Sequence, residues 1–235
     1  SPPLLFTPPL PYTYGMLLDH GFVRLVDVMG NDLSVVRAAR VSYDADWRTG
    51  THTGSDTRLI NYLWKNKHTS PFEAVTMTFE VKAPIFVIRQ WHRHRTWSFN
   101  EVSARYSEVE DEIYVPDPDV VGAQSTSNKQ GRTLTGQDRT AQTEAIRRHY
   151  ATTYALYKQL LEEGWPRELA RTVLPVSTYT RMFATVNLLN LFRFISLRDH
   201  EHAQYEIRVY AKAMLDLIRP HVPACVSVFE TPSPV

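Results

Sequence analysis

The sequence predicts a single α+β domain in which a mainly antiparallel sheet packs against helices. Its 235 residues, 43% of them hydrophobic, can bury one sizeable core. The predicted strands are segregated from the helices and do not alternate with them as βαβ units would. The sequence shows neither internal repeats nor a clear linker, so we predict one domain over residues 16–235 after a proline-rich arm over residues 1–15.

The first part of the chain is predicted to contain this arm, one strand and two helices. Five prolines within residues 1–15 disfavour regular structure and predict an extended, peripheral segment. Residues 22–28 alternate loosely as a strand does, and Asp32 then suits the N-cap of a short helix. A second helix is expected over residues 55–65.

The clearest strand pattern follows. From Val75 to Val81, apolar residues alternate with polar ones, which predicts a strand with one buried face. Pro84 then suits the first turn of a helix predicted over residues 85–95. Cations crowd the last turns of that predicted helix, where they would complement its dipole.

The second half begins with a polar segment over residues 120–142, which predicts a mobile loop leading into a helix. That helix is expected to end at Gly164. The remaining predicted elements are a helical turn over residues 165–171, a strand over residues 177–185, and helices over residues 187–198 and 207–218.

Composition argues against several classes of function. Lys and Arg total 26 against 25 Asp and Glu, so the net charge of +1 offers no general attraction to nucleic acid or to an anionic membrane. No apolar run approaches the roughly 20 residues that a membrane helix needs, and the first residues lack a secretory pattern. With the single cysteine Cys225, these features lead us to expect a cytoplasmic protein without nucleic-acid or membrane partners.

The densest group of polar side chains lies within residues 93–106. Guanidinium groups hold phosphate, hydroxyls and amides complete such a shell, and a carboxylate can accept ribose hydroxyls or an imide N–H. The alternative is an ordinary solvated helix end, but the apolar periodicity of a structural element is missing. We therefore predict a nucleotide-binding and anion-binding surface built from Arg93, His94, Arg95, Ser98, Asn100, Glu101, Ser103, Arg105 and Tyr106.

Histidines and the cysteine suggest two other chemistries. His92 with His94, and His200 with His202, repeat the spacing His-x-His, but neighbouring arginines repel a dication and no ligand pair at structural-zinc spacing accompanies them. We therefore predict no metal site. Cys225 lies in an apolar context without a basic neighbour in sequence, which favours a packing role over a nucleophilic one.

A fifth histidine, His68, lies just before Ser70 and Pro71. A serine followed by proline is typical of a helix N-cap and first helical position. From the residues alone, His68 is a turn or capping residue.

The sequence resembles the flavin-dependent thymidylate synthases. Residues 93–106 match the spacing Arg-His-Arg-x-x-Ser-x-Asn-Glu-x-Ser-x-Arg-Tyr at every defined position, and further similar segments extend from about residue 21 to residue 215. The resemblance implies that family's fold and its reaction, the methylation of dUMP to dTMP. In that reaction 5,10-methylenetetrahydrofolate donates the carbon, and FAD, reduced by NADPH, supplies the hydride.

The resemblance also implies roles for single residues. Arg198 would polarise the uracil ring, and His68 would line the flavin pocket near the folate. Ser103 and Arg105 would meet the phosphate of dUMP from a neighbouring subunit of a homotetramer. The implied FAD contacts are Ser70, Arg93, His94, Arg95, Glu101 and Asn187, and the implied dUMP contacts are Gln90, Arg93, Glu101, Ser103, Arg105, Arg171 and Arg198.

One corner of this site departs from the family pattern. Members often carry an arginine two residues after the asparagine, where this chain has Leu189. Arg193, one helical turn later, is expected to supply the flavin contact instead.

The sequence is also compatible with two functions of other kinds. A non-catalytic nucleotide-binding or RNA-binding module could stack bases on Trp91, Trp97 and Tyr106, although such proteins usually show a wider basic face. A flavin oxidoreductase acting on another nucleotide would keep the FAD contacts without needing both Arg171 and Arg198.

Overall fold

The computed structural model describes residues 13–42 and 54–232. Residues 1–12, most of the predicted proline-rich arm, lie outside the described residues, and the form of that segment stays a prediction. Residues 13–15 already belong to the first strand, so regular structure begins before the predicted boundary at residue 16.

Strands and helices cover most of the described chain. None of its helices is long and apolar enough to cross a membrane. In chain order the elements are β1 (Thr13–Leu17), β2 (Gly21–Met29), α1 (Asp32–Ser42), α2 (Gly54–Lys65), a 3₁₀ helix (Ser70–Ala74), β3 (Thr76–Pro84), α3 (Ile85–Trp91), β4 (Ser98–Glu101), α4 (Pro118–Val121), β5 (Ala123–Gln124), β6 (Arg132–Thr133), α5 (Thr140–Glu162), α6 (Arg167–Ala170), a 3₁₀ helix (Arg171–Val173), β7 (Tyr179–Asn187), α7 (Leu188–Arg198), α8 (Tyr205–Ile218) and α9 (Pro223–Glu230).

Five strands form one antiparallel sheet in the order β1-β2-β3-β7-β4. Strand β3 lies at its centre, where Phe79 is opposite Leu25 of β2 and Ala184 of β7. The side chains of Met77, Phe79 and Val81 are buried, as the alternation of β3 predicted. The α+β class and the antiparallel sheet are therefore confirmed.

The aromatic centre of the core joins three helices. Trp91 of α3 stacks on Phe194 of α7 with ring centroids 4.8 Å apart, and it meets Tyr210 of α8 edge-on at 6.0 Å. All three side chains are fully buried. Because packed aromatic cores have little freedom to move, the ends of α3 and α7 hold fixed positions relative to each other.

The helix predicted over residues 85–95 is shorter than expected. Helix α3 ends at Trp91, and a turn over residues 92–97 leads into the edge strand β4. The His94 N–H donates to the Trp91 carbonyl oxygen at 2.9 Å, which closes this turn. The cationic residues therefore lie in a connection between a buried helix and an edge strand.

The segment predicted as a loop over residues 120–142 contains more structure than expected. Strands β5 and β6 form a small antiparallel hairpin. Arg132 Nη1 donates to the Val120 carbonyl oxygen at 2.7 Å, and Arg139 Nη2 donates to that of Gly122 at 3.0 Å. The predicted end of the following helix is confirmed, since α5 stops at Glu162 and Gly164 adopts a positive φ of 87°.

The predicted N-cap role of Asp32 in α1 is wrong. Its buried carboxylate accepts the backbone N–H groups of Ala224 at 2.8 Å and Cys225 at 3.0 Å, in the first turn of α9. Asn31 caps α1 instead, because its Oδ1 accepts the Leu33 N–H at 2.9 Å. The prediction assigned Asp32 to α1 because the two are adjacent in sequence. The carboxylate instead accepts N–H groups of α9, a helix that the sequence pattern did not predict.

Replacing Asp32 by alanine should lower the free energy of unfolding by about 1–2 kcal/mol, because two N–H groups of α9 lose their acceptor. Asp32→Asn is the matched control, since it retains a side-chain oxygen. Urea denaturation of the three proteins measures the difference. An Asp32→Ala midpoint equal to that of the unmodified protein would contradict this role.

Candidate functional site

Helix α7 forms the support of the candidate site. Its inner face is buried, and Asn187 caps its first turn by accepting the Asn190 N–H at 2.9 Å. Its 11 residues end at Arg198. At 1.5 Å per residue this places the two predicted site residues, Asn187 and Arg198, roughly 16 Å apart at opposite ends of one rigid element.

At the C-terminal end of α7, two acceptors from the segment around residues 90–94 hold the Arg198 guanidinium. Its Nε donates to His94 Nε2 at 3.0 Å, and its Nη2 donates to the Gln90 carbonyl oxygen at 3.1 Å. The structure thus brings Arg198 to two predicted site residues, Gln90 and His94, that precede it by about a hundred positions. Among residues 13–42 and 54–232, Arg198 forms no ion pair with a carboxylate, and the neighbouring Asp199 pairs with Lys212 at 3.9 Å.

His94 must be neutral to accept this hydrogen bond. Partial burial and, as the smaller cause, the charge of Arg198 together lower the pKa of His94 to about 4. The ring also meets the edge of Phe194 at a centroid distance of 4.9 Å. Near neutral pH the proton of the imidazole therefore resides on Nδ1, and Nε2 is free to accept from Arg198.

The protein should lose stability as the pH falls from 6.5 to 4, partly because of His94. Its pKa is about 4 in the folded protein and 6.5 in the reference state, so the unfolded chain binds more protons in this window. The contribution of neutral His94 to the free energy of unfolding is therefore fully present above pH 6.5 and is lost as the pH falls towards 4. His94→Gln should flatten this part of the pH–stability curve, measured by chemical denaturation at each pH. An unchanged slope would contradict the assigned neutral state.

Aromatic rings pack against one another at both ends of the turn over residues 92–97, which carries the cations. Trp97 meets Trp91 edge-on at 5.8 Å and Phe194 at 5.1 Å, and it stacks parallel to Phe99 at 6.1 Å. His92 meets Phe99 edge-on, with ring centroids 4.7 Å apart. The backbone on both sides of residues 93–96 is therefore anchored in the core.

Gln90 belongs to a partly buried chain of polar side chains that the sequence did not reveal. Its side-chain amide donates to Gln204 Oε1, and Gln204 donates in turn to Glu206. Burial would raise the pKa of Glu206, but hydrogen bonding and charge from Arg132 outweigh it, so the pKa of this carboxyl lies below its usual value. An ionised carboxylate accepts only, which fixes the orientation of both amides.

A second group of predicted residues lines a pocket of about 530 Å³ on the β4 side of the sheet. Glu101 accepts a hydrogen bond from Thr180 Oγ1 at 2.9 Å. Ser103 lies in the turn after β4, and Arg171 enters from the 3₁₀ helix that follows α6. The pocket lining is Lys82, Ile85, Glu101, Val102, Ser103, Ala104, Ser107, Glu108, Val109, Glu110, Arg171, Leu174, Thr178, Tyr179, Thr180 and Arg181.

Three lining residues escaped the sequence analysis because they lie within strands. Lys82 forms an ion pair with Glu112, and Arg181 pairs with Glu110 at 3.1 Å. Tyr179 donates to Asp19 Oδ1 at 2.5 Å. Strand alternation marks such residues as outward-facing, but it cannot show that one outward face borders a cavity.

Arg171 differs from the two other cations of this pocket. Its Nε donates to the Glu168 carbonyl oxygen at 3.2 Å, and it forms no ion pair within the described part of the chain. The predicted partner Arg105 lies outside the pocket lining and contacts the Glu168 carboxylate at 3.7 Å. Arg171 therefore offers the least neutralised charge to an anion in this pocket.

Arg93 and Arg95 are exposed on the turn between α3 and β4. Across residues 13–42 and 54–232, no carboxylate forms an ion pair with either of them. Exposed guanidinium groups of this kind suit the phosphates of a nucleotide cofactor.

The remaining predicted flavin residues gather at the N-terminal end of α7. The 3₁₀ helix that begins at Ser70 packs against α7, and Leu188 N–H donates to the Val75 carbonyl oxygen at 2.8 Å. Leu189, where the family often has arginine, is only 3% exposed and packs in the core. Arg193 is exposed, and its Nη1 donates to Asn190 Oδ1 at 3.3 Å, so a guanidinium is present one turn along the helix.

The N-cap predicted at Ser70 is wrong. Thr69 occupies the cap of the 3₁₀ helix without a side-chain hydrogen bond, and Ser70 is its first residue. His68 is exposed and meets the ring of Tyr62 edge-on at 5.9 Å. The structure thus places His68 near the Ser70 end of the site, where its predicted role stays a prediction.

The alternative chemistries find little support in the geometry. Cys225 is fully buried, and burial together with the nearby Asp32 carboxylate raises the pKa of its thiol. The described residues contain no group of three or more His, Cys, Asp and Glu side chains that could hold a metal ion. Cys225 is therefore a packing residue, as its sequence context predicted.

The two groups of predicted substrate residues do not share a pocket within one chain. Gln90 and Arg198 do not line the cavity that holds Glu101, Ser103 and Arg171. A ligand that contacts both groups would therefore have to extend beyond this pocket.

Comparison with known proteins gives a consistent result. The model of the family "Thymidylate synthase complementing protein" matches residues 24–224. A protein of Anaplasma marginale named flavin-dependent thymidylate synthase is 49% identical over 215 residues, which are 91% of this chain and 73% of the relative. One of Gluconobacter oxydans with the same name is 47% identical over 232 residues, 97% of this chain and 74% of the relative.

Solved structures agree. The UMP/dUMP methylase PolB from Streptomyces cacaoi bound with 5-Br dUMP is similar with a TM-score of 0.82 and 41% identity, covering 89% of this chain and 94% of that one. The same enzyme bound with 5-Br UMP gives a TM-score of 0.79 at 41% identity.

Proposed function

The chain belongs to the family of flavin-dependent thymidylate synthases, and we propose that it methylates dUMP to dTMP. In this proposal 5,10-methylenetetrahydrofolate is the carbon donor and FAD, reduced by NADPH, is the hydride source. The observation that supports this reaction best is the guanidinium of Arg198, held by two acceptors and free of any carboxylate partner in the described chain.

Methylation of uracil requires electron density at carbon 5 of the ring. A guanidinium aimed at the ring oxygen and nitrogen stabilises the negative charge that develops there. Burial lowers the pKa of Arg198, but a guanidinium begins above about 12 and stays protonated at neutral pH. Arg198 thereby makes the ring nucleophilic without a covalent bond to the protein.

The phosphate and sugar of dUMP fit the pocket on the β4 side. Arg171 supplies the charge and Ser103 a hydroxyl, while Glu101 can accept a ribose hydroxyl or the imide N–H. Arg105 lies next to this pocket and would need to leave Glu168 to reach a phosphate, which is feasible because that surface ion pair at 3.7 Å is weak.

The residues present also suit FAD. The exposed guanidinium groups of Arg93 and Arg95 would hold its phosphates, and Ser70, Asn187 and Arg193 would contact it at the other end of α7. When bound, the flavin supplies the hydride. The chain's own contribution is to bind it, orient it and keep the ring of dUMP in place.

We further propose a homotetramer in which neighbouring chains share each site. The separation of Gln90 and Arg198 from the pocket of Ser103 and Arg171 supports this arrangement. If Arg198 of one subunit faces the pocket of another, both groups can contact one dUMP molecule.

Two measurements test the proposed reaction against its rivals. The purified protein should take up FAD and reduce it with NADPH, which a non-catalytic nucleotide-binding or RNA-binding module would not do. NADPH oxidation should then depend on dUMP and lead to dTMP in the presence of the folate. Flavin reduction that leads to no dTMP would favour an oxidoreductase acting on another nucleotide.

Replacing Cys225 by alanine should leave the rate of dTMP formation within about twofold, because a fully buried thiol with a raised pKa is not a nucleophile. Stability should fall slightly, since a small side chain is lost from the core. Turnover is measured on folded protein, checked by circular dichroism. A folded but inactive Cys225→Ala protein would point to a thiolate mechanism and overturn this assignment.

A further inference from the structure

The orientation of Arg198 depends on a residue outside its own helix. A guanidinium carries five N–H donors in one plane. His94 Nε2 at 3.0 Å and the Gln90 carbonyl oxygen at 3.1 Å occupy donors on Nε and Nη2. Within the described residues Nη1 has no hydrogen-bond partner, so two contacts fix the plane and leave one edge available to a ligand.

His94 is in turn held by the helix that carries Arg198. Its ring lies edge-on against Phe194 with a centroid distance of 4.9 Å and an interplanar angle of 71°. Phe194 is fully buried, stacks on Trp91, and precedes Arg198 by four residues, so both lie on one face of α7. The helix therefore fixes the imidazole, and the imidazole fixes the guanidinium.

The Gln90 carbonyl alone could not define this plane. One acceptor allows the guanidinium to swing about a single hydrogen bond, whereas two acceptors at different nitrogens remove that freedom. The imidazole can serve as the second acceptor because burial and the charge of Arg198 keep it neutral near pH 7.

We propose that His94 is a positioning residue for Arg198, in which the unprotonated Nε2 locks the guanidinium in the orientation from which it faces the pyrimidine. This inference rests on the proposed function, because it assumes that Arg198 acts on the ring of dUMP. It assigns His94 a role distinct from the FAD contact that the family resemblance implies.

Three variants of His94 separate these roles. Glutamine places an oxygen close to the position of Nε2, asparagine reaches only as far as Nδ1, and phenylalanine keeps the ring without an acceptor. His92→Phe is the matched control, because His92 lies two residues earlier, is exposed and contacts only Phe99 among the rings of the described chain.

We expect His94→Phe and His94→Asn to lower kcat for dTMP formation about 10- to 100-fold, the effect of losing one hydrogen bond to a charged group. His94→Gln should recover most of this loss, and His92→Phe should keep wild-type turnover. The assays are run at saturating FAD and dUMP, with the dissociation constants of both measured separately. Full activity of His94→Phe, or equal loss in the glutamine and phenylalanine variants, would overturn the proposal.

A double-mutant cycle gives a readout that a purely structural role would not move. If His94 acts through Arg198, adding His94→Phe to Arg198→Ala should cause no further loss of turnover. Losses that multiply, or a loss that disappears once FAD saturates the protein, would make His94 an independent contact and refute the positioning role. Absence of dTMP formation by the unmodified protein would instead refute the proposed function itself.

Discussion

Replacing Arg198 by alanine should reduce dTMP formation about 100- to 1000-fold while FAD remains bound and reducible, as expected when one preorganised electrostatic donor is removed. The guanidinium is anchored by His94 and Gln90 and has no carboxylate partner in the described chain. Removing it deletes charge stabilisation at the ring without disturbing the core, because α7 is held by its buried face.

Arg198→Lys should also be poor, because an ammonium cannot contact two acceptors and the ring in one plane. The matched control is Arg147→Ala on the exposed surface of α5, where the arginine pairs with Glu144 at 3.5 Å. Flavin reduction and dTMP formation are measured side by side in each protein. Near-normal turnover of Arg198→Ala would show that this arginine serves only the end of its helix.

Coexpression of Arg171→Ala and Arg198→Ala chains should restore dTMP formation if neighbouring chains share each site. Arg171→Ala removes the charge of the pocket, and Arg198→Ala removes the group that acts on the ring. With random assembly of coexpressed chains, up to about a quarter of the sites would combine an intact Arg171 with an intact Arg198. We therefore expect activity far above that of either variant alone.

The matched control combines Ser103→Ala with Arg171→Ala. Both residues line the same pocket of one chain, so every pocket in the mixture keeps one defect. This pair should not exceed the mean activity of its two members. Equal behaviour of the two mixtures would contradict a shared site.

The sequence predicted those parts of the fold that depend on local periodicity. The alternation of β3 and the apolar face of α7 gave the central strand and the supporting helix. The end of α3 could not be predicted, because cations favour both a helix C-terminus and an exposed turn. The role of Asp32 could not be predicted because its partners are distant in sequence. Its carboxylate oxygens accept the backbone N–H groups of Ala224 and Cys225, near the other end of the chain.

The site was predictable where its residues are contiguous. Residues 93–106 stand out by composition, and the family resemblance added Arg171 and Arg198. The sequence could not indicate which of these residues contact one another. Examples are the hydrogen bond from Gln90 to Gln204 and that from the Arg198 guanidinium to His94. These contacts arise because α7 and α8 both pack against Trp91 of α3, which brings together residues about a hundred positions apart.

Release of tritium from carbon 5 of labelled dUMP tests the proposed reaction most directly. The unmodified protein, supplied with FAD, NADPH and 5,10-methylenetetrahydrofolate, should release tritium and form dTMP in equal amounts, and Cys225→Ala should do the same. Omitting the folate should abolish dTMP. A protein that binds and reduces flavin normally, yet forms no dTMP from dUMP under these conditions, would contradict the proposed function.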